Sequence, residues 1–266
     1  MLTRERDTMP TEDSLKERYD AVRARIDAAA QRAGRRGEDV ILVAVTKNAS
    51  IEQIRRLVAM GHVDLGENRV QALSQHAAQV EEYLQRQHEL RTSGHAKLPR
   101  RVRWHMIGHL QRNKVRKVLG MVRLIHSVDS LRLAEEIQAA APSRVDEPVE
   151  VLVQVNVAGE KQKFGIAPAA AMHLIEQIDT MFNLRVRGLM CLAPFVEDPE
   201  EARPVFQRCR ELYNDIRRDG VGGERFDILS MGMTNDFEVA VECGANIVRI
   251  GTAIFGERND EESLES

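Results

Sequence analysis

The chain has 266 residues, enough for one large α/β domain, and 43% of them are hydrophobic, enough for a sizeable core. Charged residues make up 30% and nearly cancel to a net charge of -3; with aromatics at 4%, neither nucleic acid nor a membrane surface is an expected partner. Cys191, Cys209 and Cys243 show no CxxC or zinc spacing, no apolar run reaches membrane length, and MLTRERDTMPTEDS is no secretion signal, so a cytoplasmic protein with reduced thiols and no metal is expected.

Residues 1–13 are polar and are expected to fray. Ser14 and Glu17 have capping-box spacing, and Leu15, Tyr19, Val22 and Ile26 follow at helical spacing, so a helix leads the chain. Val40 to Thr46 is the first strand. Ser50 and Gln53 open a helix carrying Ile51, Ile54, Leu57 and Val58, which Gly61 closes. His62 to Leu65 reads as a second strand, followed by a helix with Val70, Leu73, Ala77, Val80 and Leu84. The basic stretch 85–102 reads as a surface loop. Arg103 to Ile107 and Val122 to His126 are the third and fourth strands, with a helix over Asp129 to Ala141. EVLVQVNV, Glu150 to Val157, is the clearest strand; Arg185 to Leu192, Phe226 to Leu229 and Ile247 to Ile250 complete eight. Helical stretches lie near 168–179, 199–218 and 235–243.

Eight strands alternating with helices predict an α/β fold, a (β/α)8 TIM barrel in a single domain over 14–258 with a leading N-terminal helix. An acidic tail, 259–266, follows. A doubly wound open sheet is the competing arrangement. In a barrel, function gathers at the C-terminal ends of the strands. The residues falling there are Lys47, Glu67, Asn68, Gly108, His109, Asn156, Cys191, Ser230 to Thr234, Gly251 and Thr252.

Lys47 ends the strand ILVAVTK. Alone, the position reads as an ordinary solvated lysine; a barrel mouth could make it a nucleophile by desolvation or a nearby cation. LSMGMTND and RIGTAIFG, after the seventh and eighth strands, each join glycine to a hydroxyl residue where barrels commonly bind phosphate; the alternative is two ordinary turns, with Thr234 or Asn235 capping a helix. Arg249 interrupts the apolar strand IVRIG, so it needs either a buried carboxylate partner or an acceptor on a ligand, such as a ring nitrogen. His105 reads as a satisfied core histidine, and His62, His105, His109 and His126 have no metal spacing. Asn68 is a donor at the mouth or a helix cap.

Taken in order, AVTKNAS (44–50), LGENRVQ (65–71), WHMIGHLQRNK (104–114), IHSVDS (125–130), VQVNVAGEKQKFGI (153–166), RGLMCLAP (187–194) and LSMGMTNDFEVAVECGANIVRIGT (229–252) with AIFG (253–256) resemble the pyridoxal phosphate homeostasis protein family. The resemblance implies a fold-type III barrel that binds pyridoxal 5′-phosphate (PLP), like the N-terminal domain of alanine racemases. It implies an internal aldimine at Lys47, phosphate contacts from Ser230, Gly251 and Thr252, Arg249 near the pyridine nitrogen, and Asn68 close to the cofactor. Arg69 stands where the family often has tyrosine, and Thr234-Asn235 where a serine-aspartate pair is common.

The implied role is a carrier that buffers or delivers PLP with little or no turnover and no catalytic residue of its own. Apo PLP-dependent enzymes are candidate recipients, and a monomer or weak dimer is expected. The alternative is a PLP-dependent amino-acid racemase, which needs proton transfer on both faces of the substrate α-carbon. Tyr19, Tyr83 and Tyr213 all fall on predicted helices, and the chain ends about ten residues after AIFG, so no racemase-like second domain is expected to follow.

Overall fold

The computed structural model describes residues 12–89, 98–145, 147–160 and 164–257. Eight parallel strands close into a barrel in chain order, each joined to its sequence neighbour and the last to the first. They are β1 (Ile41–Val45), β2 (Asp64–Glu67), β3 (Arg103–Met106), β4 (Val122–Val128), β5 (Val149–Val155), β6 (Leu184–Cys191), β7 (Ile228–Ser230) and β8 (Ile247–Ile250). The closed arrangement excludes the doubly wound sheet. The helices are α1 (Glu12–Arg32), α2 (Ile51–Ala59), α3 (Val70–Glu89), α4 (Val115–Val118), α5 (Leu131–Ala140), α6 (Pro168–Asp179), α7 (Arg203–Arg218), α8 (Phe237–Glu242) and α9 (Thr252–Phe255).

Local chemistry explains several boundaries. Ser50 Oγ accepts from Gln53 N at 3.3 Å and Gln53 Oε1 accepts from Ser50 N at 2.9 Å, the reciprocal cap read from the sequence. Gly61, at φ 94°, turns the chain out of α2 in a conformation that side chains disfavour. Other boundaries move. α1 is already helical at Glu12, so Ser14 lies inside its first turn and is not its cap. β2 starts at Asp64, two residues late, because His62 is held in a turn, its N–H donating to Leu57 O and its ring bonded to Tyr19 and to Asp64 O. β7 is shifted to Ile228–Ser230. The expected 85–102 loop is helical through Glu89, and 90–97 lies outside the described residues, as do 1–11 and the tail 258–266.

Alternation along the strands divides the core in two. Val43, Leu124, Leu152, Met190 and Ile247 fill the barrel axis. Leu42, Ala44, Leu65, Trp104, Ile125, Val151 and Val153 face outward into the larger layer under the helices. At the N-terminal end of the barrel an ionic cluster closes the floor. Glu150 is bonded by Arg123 and by Arg187, the latter at 2.7 Å, and Arg187 also reaches Asp227 at 2.7 Å. α1 packs on α8 and α9. Arg25 pairs with Glu238 and Arg32 with Glu242, while Arg18 donates to the Ile254 carbonyl at 2.8 Å.

Candidate functional site

Strand parity decides which side chains reach the axis. Val43 and Ile247 are axial, so Val45 and Lys47 keep to that side beyond Val43, and Arg249 and Gly251 do so beyond Ile247. Val43 pairs with Arg249, and Lys47 lies four residues beyond Val43, past the end of β1 on the mouth side of Arg249. On the other side Val45 pairs with Gly66, so Asn68, just past β2, leaves the neighbouring strand at the same end of the barrel as Lys47. Lys47 is exposed, and among the described residues its amine has no hydrogen bond or ion pair. Asn68 is also exposed. The loops after β2 and β3 touch here: a Cβ on Gly108 would lie 2.2 Å from the Asn68 carbonyl oxygen, so only glycine lets the two pass.

Arg249 is buried, with 3% exposure. Its Nη1 donates to Ser230 Oγ at 2.5 Å and its Nη2 to the Cys191 carbonyl at 2.9 Å. No carboxylate among the described residues is bonded to it, so a buried ion pair is not what holds this arginine. Burial pulls its pKa down, partly offset by the charges of Cys191 and Asp236. Asp236 is itself turned to the loop before α8, accepting from Met233 N at 2.6 Å, and burial raises its pKa.

Behind Arg249 runs a buried chain of polar groups that cross the barrel. Ser230 Oγ is 3.0 Å from His126 Nδ1; His126 Nε2 is 3.0 Å from His105 Nδ1; His105 Nε2 is 3.1 Å from Asp64 Oδ1. Arg103 closes the chain on Asp64, with Nε to Oδ1 at 2.7 Å. Burial alone would raise the Asp64 pKa, but hydrogen bonds from His105 and Arg103 outweigh it and pull it down to about 2. His126 is fully buried, and burial, reinforced by the Arg249 charge, lowers its pKa well below the usual histidine range.

The loops after β7 and β8 meet through hydroxyls, Thr252 Oγ1 donating to Thr234 Oγ1 at 3.0 Å. Both threonines are half-buried, and Gly251 approaches β1 so closely that a Cβ there would lie 3.0 Å from the Val45 carbonyl oxygen. The cap of α8 is Asp236 and not Thr234 or Asn235; the Asn235 amide donates instead to Val196 O at 2.8 Å. Ser230, expected beside these loops, has its hydroxyl fully buried between His126 and Arg249.

Lys47 and Asn68 thus follow the ends of the neighbouring strands β1 and β2, Gly251 and Thr252 follow β8 on the other side of β1, and Arg249 and Ser230 lie within the strands below. Sequence reading put Thr234 among the mouth residues and offered it as a helix cap but did not pair it with Thr252, although a hydroxyl one loop away was a usable signal. It left His105 and His126 as unlinked histidines, since nothing in their spacing announces their contact.

A family model described as the alanine racemase N-terminal domain matches residues 18–259. The chain is 40% identical over 242 residues to a pyridoxal phosphate homeostasis protein of Aquifex aeolicus, covering 91% of this chain and 97% of that one. It is 38% identical to a pyridoxal phosphate homeostasis protein of Pseudomonas aeruginosa, over 92% of this chain and 96% of that one. Among solved structures, PipY of Synechococcus elongatus PCC7942 with PLP bound is 30% identical and superposes with a TM-score of 0.72, covering 91% of this chain and all of that one (100%). With matches of this extent and identity, the chain belongs to the pyridoxal phosphate homeostasis proteins within the alanine racemase N-terminal-domain family.

Proposed function

We propose that this chain binds PLP at the barrel mouth and buffers or delivers it, holding it reversibly through Lys47 with little or no turnover. The observation that carries this reading is the pairing of a lysine over the mouth with a buried, carboxylate-free arginine on the next strand. PLP has its aldehyde carbon and its ring nitrogen at opposite ends of one ring, and these two side chains offer an amine for the first and a donor for the second.

When bound, PLP supplies an electrophilic carbon and an electron-accepting ring. Lys47 anchors it through its amine, with release of water. Arg249 keeps its proton at ordinary pH, so it donates to the ring nitrogen and leaves that nitrogen unprotonated, which weakens the ring as an electron sink. Gly251 and Thr252 hold the phosphate, joined by the Thr234 hydroxyl and by N–H groups at the start of α9 that have no carbonyl within the helix. Asn68 flanks the lysine. Ser230, which the family resemblance puts on the phosphate, reaches the ligand through Arg249.

The similarity to proteins named for PLP homeostasis, and to PipY with its bound PLP, supports this reading over a racemase. So does the placement of the three tyrosines. Tyr19 lies on α1 against His62, Tyr83 on α3, and Tyr213 on α7 with its hydroxyl on Phe226 O, none of them next to Lys47. Apo PLP-dependent enzymes are the candidate recipients, and the protein acts in the cytoplasm as a monomer or weak dimer. No helix among the described residues is long and apolar enough to cross a membrane.

Absorption spectroscopy tests the site. The chain loaded with PLP is expected to show a visible band that survives dialysis, and Lys47→Ala is expected to lose it. A colourless wild-type chain in excess PLP would sink the proposal. Sustained turnover of L-amino acids at rates of about 1–1000 per second would replace the carrier with an enzyme.

A further inference from the structure

The buried chain from Arg249 to Asp64 has a direction. Arginine can only donate, and Asp64, ionised at ordinary pH, can only accept. His105 Nε2 must therefore carry the proton it gives Asp64. His126 is held neutral by burial and has one N–H. If that proton sits on Nε2, it goes to His105 Nδ1, and His126 Nδ1 accepts the Ser230 hydroxyl proton. Ser230 Oγ in turn accepts from Arg249. Every donor then meets an acceptor. If the proton sits on His126 Nδ1 instead, His105 must hold an extra proton. Ser230 Oγ then receives two donors, and its own buried hydroxyl proton finds no acceptor in the chain, a costly arrangement.

We propose that Asp64, His105, His126 and Ser230 form a one-directional hydrogen-bond relay whose function is to make Asp64 the remote counter-charge of Arg249 and so hold the guanidinium as a fixed donor toward the ring nitrogen of PLP. This rests on the reading that Arg249 faces that nitrogen. The four are positioning residues, acting through Arg249. The relay resolves how a guanidinium can stand buried without a carboxylate against it: its charge is balanced across the barrel through four polarised hydrogen bonds, and none of its donors is taken by an anion. Arg103, at the barrel floor, keeps Asp64 ionised and supplies the last partner.

Two measurements on the full chain test this. Nitrogen-15 spectra of the histidine rings, taken without PLP, are expected to show His105 and His126 both as the neutral Nε2–H tautomer at neutral pH. An Nδ1–H tautomer or a doubly protonated ring at either position would overturn the relay. In the second, Asp64→Asn keeps an acceptor for His105 but removes the charge. PLP affinity is expected to weaken about tenfold and the visible band to shift, with the fold retained by circular dichroism. Asp64→Glu is expected to recover both in part. A folded Asp64→Asn protein with lowered Tm but an unmoved band and wild-type affinity would reduce Asp64 to a structural role and overturn the proposal; should this variant not fold, His105→Gln takes its place with the same two readouts. A wild-type chain that binds no PLP would overturn the cofactor reading and the last step of the relay with it, while the tautomers still report on the relay itself.

Discussion

At the floor of the barrel Glu150 touches Arg123 and Arg187 directly, and Arg187 touches Asp227; between β2 and β8, Asp64 and Arg249 are joined only through two imidazoles and a hydroxyl. Both systems place arginines and carboxylates within one barrel. In the first, each guanidinium bonds a carboxylate directly, and the charges are satisfied locally. In the second, the carboxylate is kept at the far end, so the guanidinium stays available to a ligand at the mouth. Direct pairing closes a floor; relayed pairing equips a site.

The contrast can be broken most sharply at Arg249. Arg249→Met leaves Ser230 and the Cys191 carbonyl without their donor, and is expected to weaken PLP binding roughly a hundredfold and to cost about 2 kcal/mol of stability, read by calorimetric titration and urea melts. An acid titration of unfolding probes the other end. Asp64 has a folded pKa of about 2, below its unfolded value near 4, so its contribution is fully present above about pH 4 and is lost as pH falls toward 2. Some 2 kcal/mol of wild-type stability is expected to disappear over that window and to be missing from the acid dependence of Asp64→Asn. Arg103 and His105 are the charged or titratable groups bonded to this carboxylate, with His62 bonded to its backbone, and an unchanged profile in the variant would move the effect onto one of them. Glu150→Gln should give the smallest change, a loss of about 1 kcal/mol with PLP affinity and visible band as in the wild type. A shift of the band in that variant would erase the distinction between floor and site.

Much of this was legible in the sequence. Short β-branched runs between helical patterns marked all eight strands and favoured a barrel over an open sheet, and β8 and α6 fall on their expected residues. Lys47, Asn68, Arg249, Gly251 and Thr252 were visible as residues at strand ends or, for Arg249, as a charge in an apolar strand. The relay was not. Alternation tells which residues face the axis, but the level at which each sits depends on the stagger between neighbouring strands, which no local pattern records. His105 pairs in register with Leu124, yet its ring meets that of His126. Ser230 read as a loop residue just past the seventh strand, whereas it is the last residue of β7, with its hydroxyl between His126 and Arg249. The early boundaries failed differently, where a tertiary contact such as Tyr19 with His62 overrode a local preference.

The packing of α1 also governs when this molecule can become a barrel. The first described helix rests on α8 and α9, the last two, and β1 finds its partner in β8, the last strand. During synthesis the opening segments must therefore wait, with their apolar faces uncovered, until the closing segments leave the ribosome. Such long-range closure slows folding and prolongs the exposure of aggregation-prone surface. Because Gly251 and Thr252 arrive with those same closing segments, a chain arrested before them would hold Lys47 without the neighbouring loop after β8.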